Sequence, residues 1–246
     1  MTIDVRRSTE RFATDIPWLQ SRHSFSFGGH YDAANTHFGV LLVNNDDIVR
    51  AGAGFETHPH RDMEIVTWVL SGSLVHQDSE GHSGVIYPGL AQRMSAGSGI
   101  LHSEKNDSWR LGGERHEDPV HFVQMWVLPD ERGSRPGYEQ LDINAELDRG
   151  GLVPVASGRS NGQAAIRIQQ REASLFAARL SAGESLVLPT APYVHLFVPV
   201  GSVIVEGAGA LETGDSLRLA DASGQRVVAG VAGAEVLVWE MFSSLG

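Results

Sequence analysis

Short apolar runs rich in β-branched and aromatic residues recur along the chain, each closed by Gly, Pro, Asn or Asp. They include FGVLLVNNDD (38–47), EIVTWVLSGSLVHQD (64–78), HFVQMWVLPD (121–130), ESLVLP (184–189), HLFVPVGSVIVEG (195–207) and AEVLVWEMF (234–242). Runs of that length between turn residues predict an all-β fold of sandwich or barrel type. A 3.6-residue period is scarce, and only YEQLDINAELDRG (138–150) predicts a helical turn or two.

The pattern changes over 129–163, where PDERGSRPGYEQ and ASGRSNGQ are polar and rich in Gly and Pro. The expected layout is a first domain over 1–130, a connecting segment over 131–163 and a second domain over 164–246. The flanking halves resemble each other weakly. VLSGSLVHQD (69–78) matches VPVGSVIVEG (198–207), YPGLAQRM (87–94) matches ETGDSLRL (212–219), and VQMWVL (123–128) matches EVLVWEM (235–241). Each half therefore reads as strand, Gly-Ser hairpin, strand, Gly turn, strand and final strand, an internal duplication of one β-barrel.

Composition narrows the chemistry. The 246 residues suffice for two domains, and 41% hydrophobic residues supply a core for each. A net charge of −11 disfavours direct nucleic-acid binding, which needs a basic surface. With no cysteine, disulfides and thiolate chemistry are excluded, so any metal must be held by nitrogen and oxygen. The N-terminal stretch MTIDVRRSTERF has no apolar core of a secretory signal, and no run is long enough to span a bilayer. A cytoplasmic location without membrane contact is the expectation.

The histidines are unevenly distributed: of 11, seven lie between 58 and 121 and only His195 lies beyond. In HPHRDMEIV, His58 and His60 are two apart, so on a strand both point to one face. GILHSEKN repeats the spacing with His102 and Glu104. If an antiparallel barrel sets the two strands side by side, three imidazoles and a carboxylate converge. Such a set suits one divalent first-row metal, and four protein ligands leave open positions for substrate or dioxygen.

The two motifs resemble those of the cupin superfamily: G-x5-HPH-x3-E-x7-G from Gly52 to Gly72, and G-x5-SAGSGILHSEKN from Gly89 to Asn106. In detail, HPHRDMEIVTWVLSGSLVHQDSEGHSG, MSAGSGILHSEKN and the leading FGVLLVNNDD are similar to the pirin family. Two departures from the usual cupin pattern, the later glycine and Ser95 in place of a proline, are themselves pirin-like. The resemblance is strong over residues 20–130 and confined to layout beyond them.

It implies a bicupin, two tandem jelly-roll-type barrels, with metal in the first and none in the second. It implies His58, His60, His102 and Glu104 as metal ligands, with Glu104 also the catalytic base. Glu64, the acidic ligand of typical cupins, shares the parity of His58 and His60 if the strand is unbroken, and is expected behind the ligands or as a ligand in place of Glu104; Gln124 is expected behind the ligands. Iron(II) is the expected metal, with Mn, Ni, Co, Cu and Zn as alternatives. The implied activity is a quercetin 2,3-dioxygenase-like oxidoreductase that opens a flavonol, or similar small aromatic enol, with O2 and releases CO. The alternative is a regulatory protein whose metal state controls binding of a protein partner.

Other residues are expected to be structural. His76 and His82 are expected on the solvated surface, Trp68 and Trp126 in barrel packing, and His195 in core or surface. His121 and Gln124 are read equally as pocket-lining or as ordinary polar residues, and Lys105 as facing away from His102 and Glu104.

Overall fold

A computed structural model describes residues 1–106, 115–160 and 163–245. The polar stretch expected to connect the halves is therefore described apart from residues 161–162. The fold is all-β, as the patterning predicts. Among the described residues the first twelve strands are β1 (Thr2–Arg6), β2 (Phe12–Ile16), β3 (Leu19–His23), β4 (Leu41–Val49), β5 (Gly54–His60), β6 (Glu64–Ser71), β7 (Leu74–Asp78), β8 (Ser83–Ile86), β9 (Leu90–Ser95), β10 (Ile100–Lys105), β11 (Val120–Val127) and β12 (Gly137–Asp142). One helical turn, Asn144–Leu147, follows where the sequence suggested it. Then come β13 (Val153–Ser157), β14 (Ile166–Arg167), β15 (Ala173–Leu180), β16 (Ser185–Val187), β17 (Tyr193–Val205), β18 (Gly209–Glu212), β19 (Ser216–Ala220) and β20 (Arg226–Met241).

The first half folds as two sheets, in the orders β12-β9-β6-β11-β4-β3-β2 and β5-β10-β7-β8. The second half forms one bent sheet, β1-β19-β17-β20-β15-β13-β14, with β16 on β20 and β18 on β17. Two elements cross the expected division: Thr2–Arg6 pairs with β19 of the second half, and Gly137–Asp142 pairs with β9 of the first.

The Gly-Ser hairpins expected at 72–73 and 201–202 are not hairpins. A hairpin needs its flanking strands to pair with each other. Instead β6 pairs with β9 and β11, whereas β7 pairs with β8 and β10, so Gly72 turns the chain from one sheet into the other. In the second half β17 runs unbroken past Gly201 and bends there, with register shifts against β20 on either side. Gly201 has φ +80°, and a Cβ on it would lie 2.1 Å from the carbonyl oxygen of Gly233. The duplication is thus real in topology, but its repeated feature is a barrel corner.

Strand alternation sorts the side chains into layers. Trp68, Val123, Met125 and Val127 of the first half meet Leu175, Phe197, Leu237 and Trp239 of the second in one shared core. The indole nitrogen of Trp68 donates to Glu235 across that interface at 2.6 Å. The opposite face of the second sheet is filled by Val194, Leu196, Leu217, Val227 and Val236, and is apolar. The inner face of the first barrel is apolar only at one end, around Val69, Leu74, Ile86 and Phe122. Its other end carries polar side chains and opens to a cavity.

Candidate metal centre

β5 and β10 lie antiparallel with His58 opposite His102 and Ile100 opposite His60. This is the side-by-side arrangement the spacing required. The ring centroids of His58, His60 and His102 are 4.4 to 4.9 Å apart, and their ligand nitrogens lie within 4.8 Å of one another. Nδ1 of His58 is 2.7 Å from the carbonyl oxygen of Glu56, to which it donates, leaving Nε2 free. Nε2 of His60 and of His102 is buried without a hydrogen-bond partner. Orphaned buried nitrogens are costly unless something takes their lone pairs. Burial first, and the neighbouring imidazoles next, push His60 down to about 4 and His102 to about 3. Both rings are neutral at pH 7, the form that binds a metal. The donor set fits a divalent transition metal.

Glu104 follows His102 on the same face but stands off the three-histidine group. It forms a second group with His76 and His102. Its carboxylate accepts from Nε2 of Gln124 at 2.7 Å and from the hydroxyl of Thr67 at 3.4 Å. Gln124 therefore sits directly behind Glu104, and it also lines the cavity.

Glu64 does not share the face of His58 and His60. The strand ends at His60 and resumes at Glu64, and Asp62 between them has φ +50°, so parity is lost across the turn. Glu64 instead accepts from Ser95 at 2.8 Å and from the backbone N–H of Gln169 in the second half at 3.0 Å. It ties the halves together and lies away from the histidines.

Sequence reasoning missed His76. Expected on the surface, its side chain is fully buried, with Nδ1 3.4 Å from Nδ1 of His102 and Nε2 3.2 Å from Asp78. Its place opposite Glu104 in the β7–β10 register buries it, and nothing in the sequence gives that register. His82, half-exposed, bonds to the same Asp78, and Tyr138 stacks on both His76 and His82. Trp126 is a second correction, because it lines the cavity with its ring edge-on to His60 at 4.8 Å. Trp68 packs as expected. His121 pairs with Asp46, Lys105 with Glu56 on the far face, and His195 is fully buried.

The cavity beside the histidines measures about 370 Å³. His58, His60 and Gln124 form one part of its wall, and Leu19, Phe27, Phe55 and Trp126 form its apolar sides. Among the described residues of the second half no group of His, Asp or Glu is placed to hold a metal. Aligned on the two corners, His76 and Glu104 correspond to Val205 and Val227, which also pair with each other and are buried in apolar surroundings.

Known proteins resemble this chain along its whole length. The family model described as Pirin matches residues 4–127. A Mycobacterium tuberculosis protein, named provisionally as a quercetin 2,3-dioxygenase, is 55% identical over 100% of this chain and 97% of its own length. An Escherichia coli protein named quercetin 2,3-dioxygenase is 45% identical over 58% of this chain and 59% of its own. Among solved structures, YhhW from Escherichia coli superposes with a TM-score of 0.87 at 34% identity, covering 99% of both chains. A second structure, of the bacterial pirin YhhW in complex with nickel(II), gives 0.85 at 33% identity, covering 99% of this chain and 100% of the other.

Proposed function

The chain belongs to the pirin family, and on that premise we propose that it is a metal-dependent dioxygenase opening the ring of a quercetin-type flavonol with O2, by 2,3-cleavage with release of CO. The single observation that carries the reading is the three-imidazole cluster, two members of which, His58 and His60, stand on the wall of an aromatic-lined cavity of about 370 Å³. A cavity of that size suits a small ligand. The regulatory alternative calls for no such volume beside the metal.

In this reading His58, His60 and His102 would hold one iron(II), and Glu104, which groups with His102 and His76, would turn to it as fourth ligand and base. The bound metal supplies a Lewis acid that lowers the pKa of a hydroxyl on it. Glu104 accepts the flavonol's 3-hydroxyl proton. Gln124 and Thr67 fix one carboxylate orientation for that transfer. Phe27, Phe55 and Trp126 exclude water and flank a flat ring. The division into barrels over 1–130 and 164–246, and a cytoplasmic location, belong to the same proposal. No helix among the described residues is long and apolar enough to cross a membrane.

Oxygen uptake by iron(II)-reconstituted protein given quercetin tests the reading, with His58→Ala and Glu104→Gln as controls. Uptake stoichiometric with quercetin loss, absent in His58→Ala and at least about 100-fold slower in Glu104→Gln, is the expected result. No uptake by metal-loaded wild type, or equal rates in Glu104→Gln, overturns it.

A further inference from the structure

The metal centre uses only part of the polar surface inside the first barrel. On the inner face of the large sheet, Thr67, Gln124, Asn45 and His23 stand at the same level on four adjacent strands. Ser21 and Asp47 form a shorter row beside them. Thr67 and Gln124 hold Glu104, whereas Asn45, His23, Ser21 and Asp47 hydrogen-bond among themselves and to no residue of the metal centre. All four of the latter are buried, and all four line the cavity. Buried polar groups cost stability unless they are hydrogen-bonded. The second half shows that this fold does not require them, since the corresponding interior is apolar.

Their hydrogen bonds leave two groups for a ligand. Ser21 donates to one carboxyl oxygen of Asp47, and His23 Nδ1 bonds the amide oxygen of Asn45 at 2.9 Å. The other face of the His23 ring bonds Thr14 at 3.0 Å, which fixes its position. The hydrogen bonds of the described residues leave out the second oxygen of Asp47 and the amide nitrogen of Asn45, and both side chains line the cavity. One is an acceptor or an acid, the other a donor. A phenolic hydroxyl both donates and accepts.

We propose that Asp47, supported by Ser21 and joined by Asn45, is a second recognition point that binds hydroxyl groups on the pendant ring of the substrate. The inference rests on the flavonol reading and deepens it. The substrate class becomes a flat aromatic with a hydroxyl–carbonyl pair at the metal end and at least one free hydroxyl at the other. From Gln124 on β11 to Ser21 on β3 is two strand spacings, about 10 Å, which a pendant ring spans. Phe27 and Phe55 line the same cavity and offer it apolar walls. Burial, aided by the negative charges of Asp46 and Glu104, pushes the Asp47 carboxyl up to about 7. Near neutral pH it therefore serves hydroxyls as donor and as acceptor. Asp47 is a specificity residue and takes no part in holding the metal.

Binding is measured without oxygen, on protein loaded with redox-inert zinc, by fluorescence quenching. The probes are three flavonols with two, one or no hydroxyls on the pendant ring. Wild type is expected to bind the dihydroxylated flavonol at least about tenfold more tightly than the unhydroxylated one, as one buried hydrogen bond allows. In Asp47→Ala that ratio falls to twofold or less while affinity for the unhydroxylated flavonol and zinc content are retained. Ser21→Ala, the milder change, gives an intermediate ratio and covers the case in which Asp47→Ala fails to fold. Equal binding of all three flavonols by wild type, or discrimination that survives both variants, overturns the inference and leaves the dioxygenase reading standing. If no flavonol binds the zinc protein, both fall.

Discussion

His60 and His102 stay neutral because burial strips water from their rings, and neutrality is the state a metal requires. His58 donates its Nδ1–H to the Glu56 carbonyl, which leaves Nε2 as its ligand atom. His76 acts one step further out, wedged between His102 and Asp78. These roles separate in a metal titration. His60→Ala and His102→Ala are expected to bind less than about a tenth of one iron per chain after dialysis. His76→Ala should keep full stoichiometry at saturating metal but with affinity weaker by about 10- to 100-fold, the usual cost of removing a partner behind a ligand. Elemental analysis and competition with a chelator read the two effects. Unchanged affinity in His76→Ala would make that histidine a packing residue only.

Strands β5 and β10 aim the histidines, and the corners decide which strands meet. At Gly72 and Gly201 the chain passes from one layer to the next, and both have positive φ. Gly201→Ala adds left-handed strain and sets a Cβ against the backbone of Gly233, which no side-chain rotation relieves. The expected loss of stability is at least about 2 kcal/mol in urea unfolding. Gly209→Ala carries a similar φ of +84° but has nothing within 4 Å of the added carbon. It should cost only the strain, about 1 kcal/mol. Equal costs at the two sites would show that the close approach at the corner is unimportant.

Across the whole molecule, the two halves bury a shared core, and a polar seam runs beside it. His195 lies in that seam, fully buried, with neither ring nitrogen bonded and with Arg218 and Arg11 nearby. Burial above all pushes its pKa from 6.5 down to about 3. The unfolded chain therefore takes up a proton first as pH falls below 6.5. The stability associated with a neutral His195 is complete above that pH and is lost as pH drops towards 3, at about 1.4 kcal/mol per pH unit. Metal cannot protect this group, which is remote from the centre. Unfolding free energies at pH 7 and pH 5 should differ less in His195→Leu than in wild type, whether metal is bound or not. An identical pH dependence in the two proteins would remove His195 from the account.

Period-two alternation, the duplicated turn residues and the two i, i+2 pairs are local properties, and they sufficed for the all-β class, the tandem architecture and the meeting of His58, His60 and His102. Strand parity is set by the backbone alone, so it is legible without a structure wherever the strand is unbroken. It failed at Glu64 because a turn at Asp62 intervenes, and whether a strand breaks depends on what it packs against. The same reason hid His76 and Trp126. Each occupies a polar-looking or ambiguous position whose burial is decided by β10 and by the cavity rather than by its own neighbours in sequence. The Gly-Ser pairs read as hairpins because a turn residue fixes only φ. Whether the chain then doubles back or rounds a corner is decided by which distant strands, β10 and β11 or β20, run alongside. Asp47 and Ser21, 26 residues apart, carry no sequence signal as a pair, because only the closing of the barrel sets them side by side on its inner face.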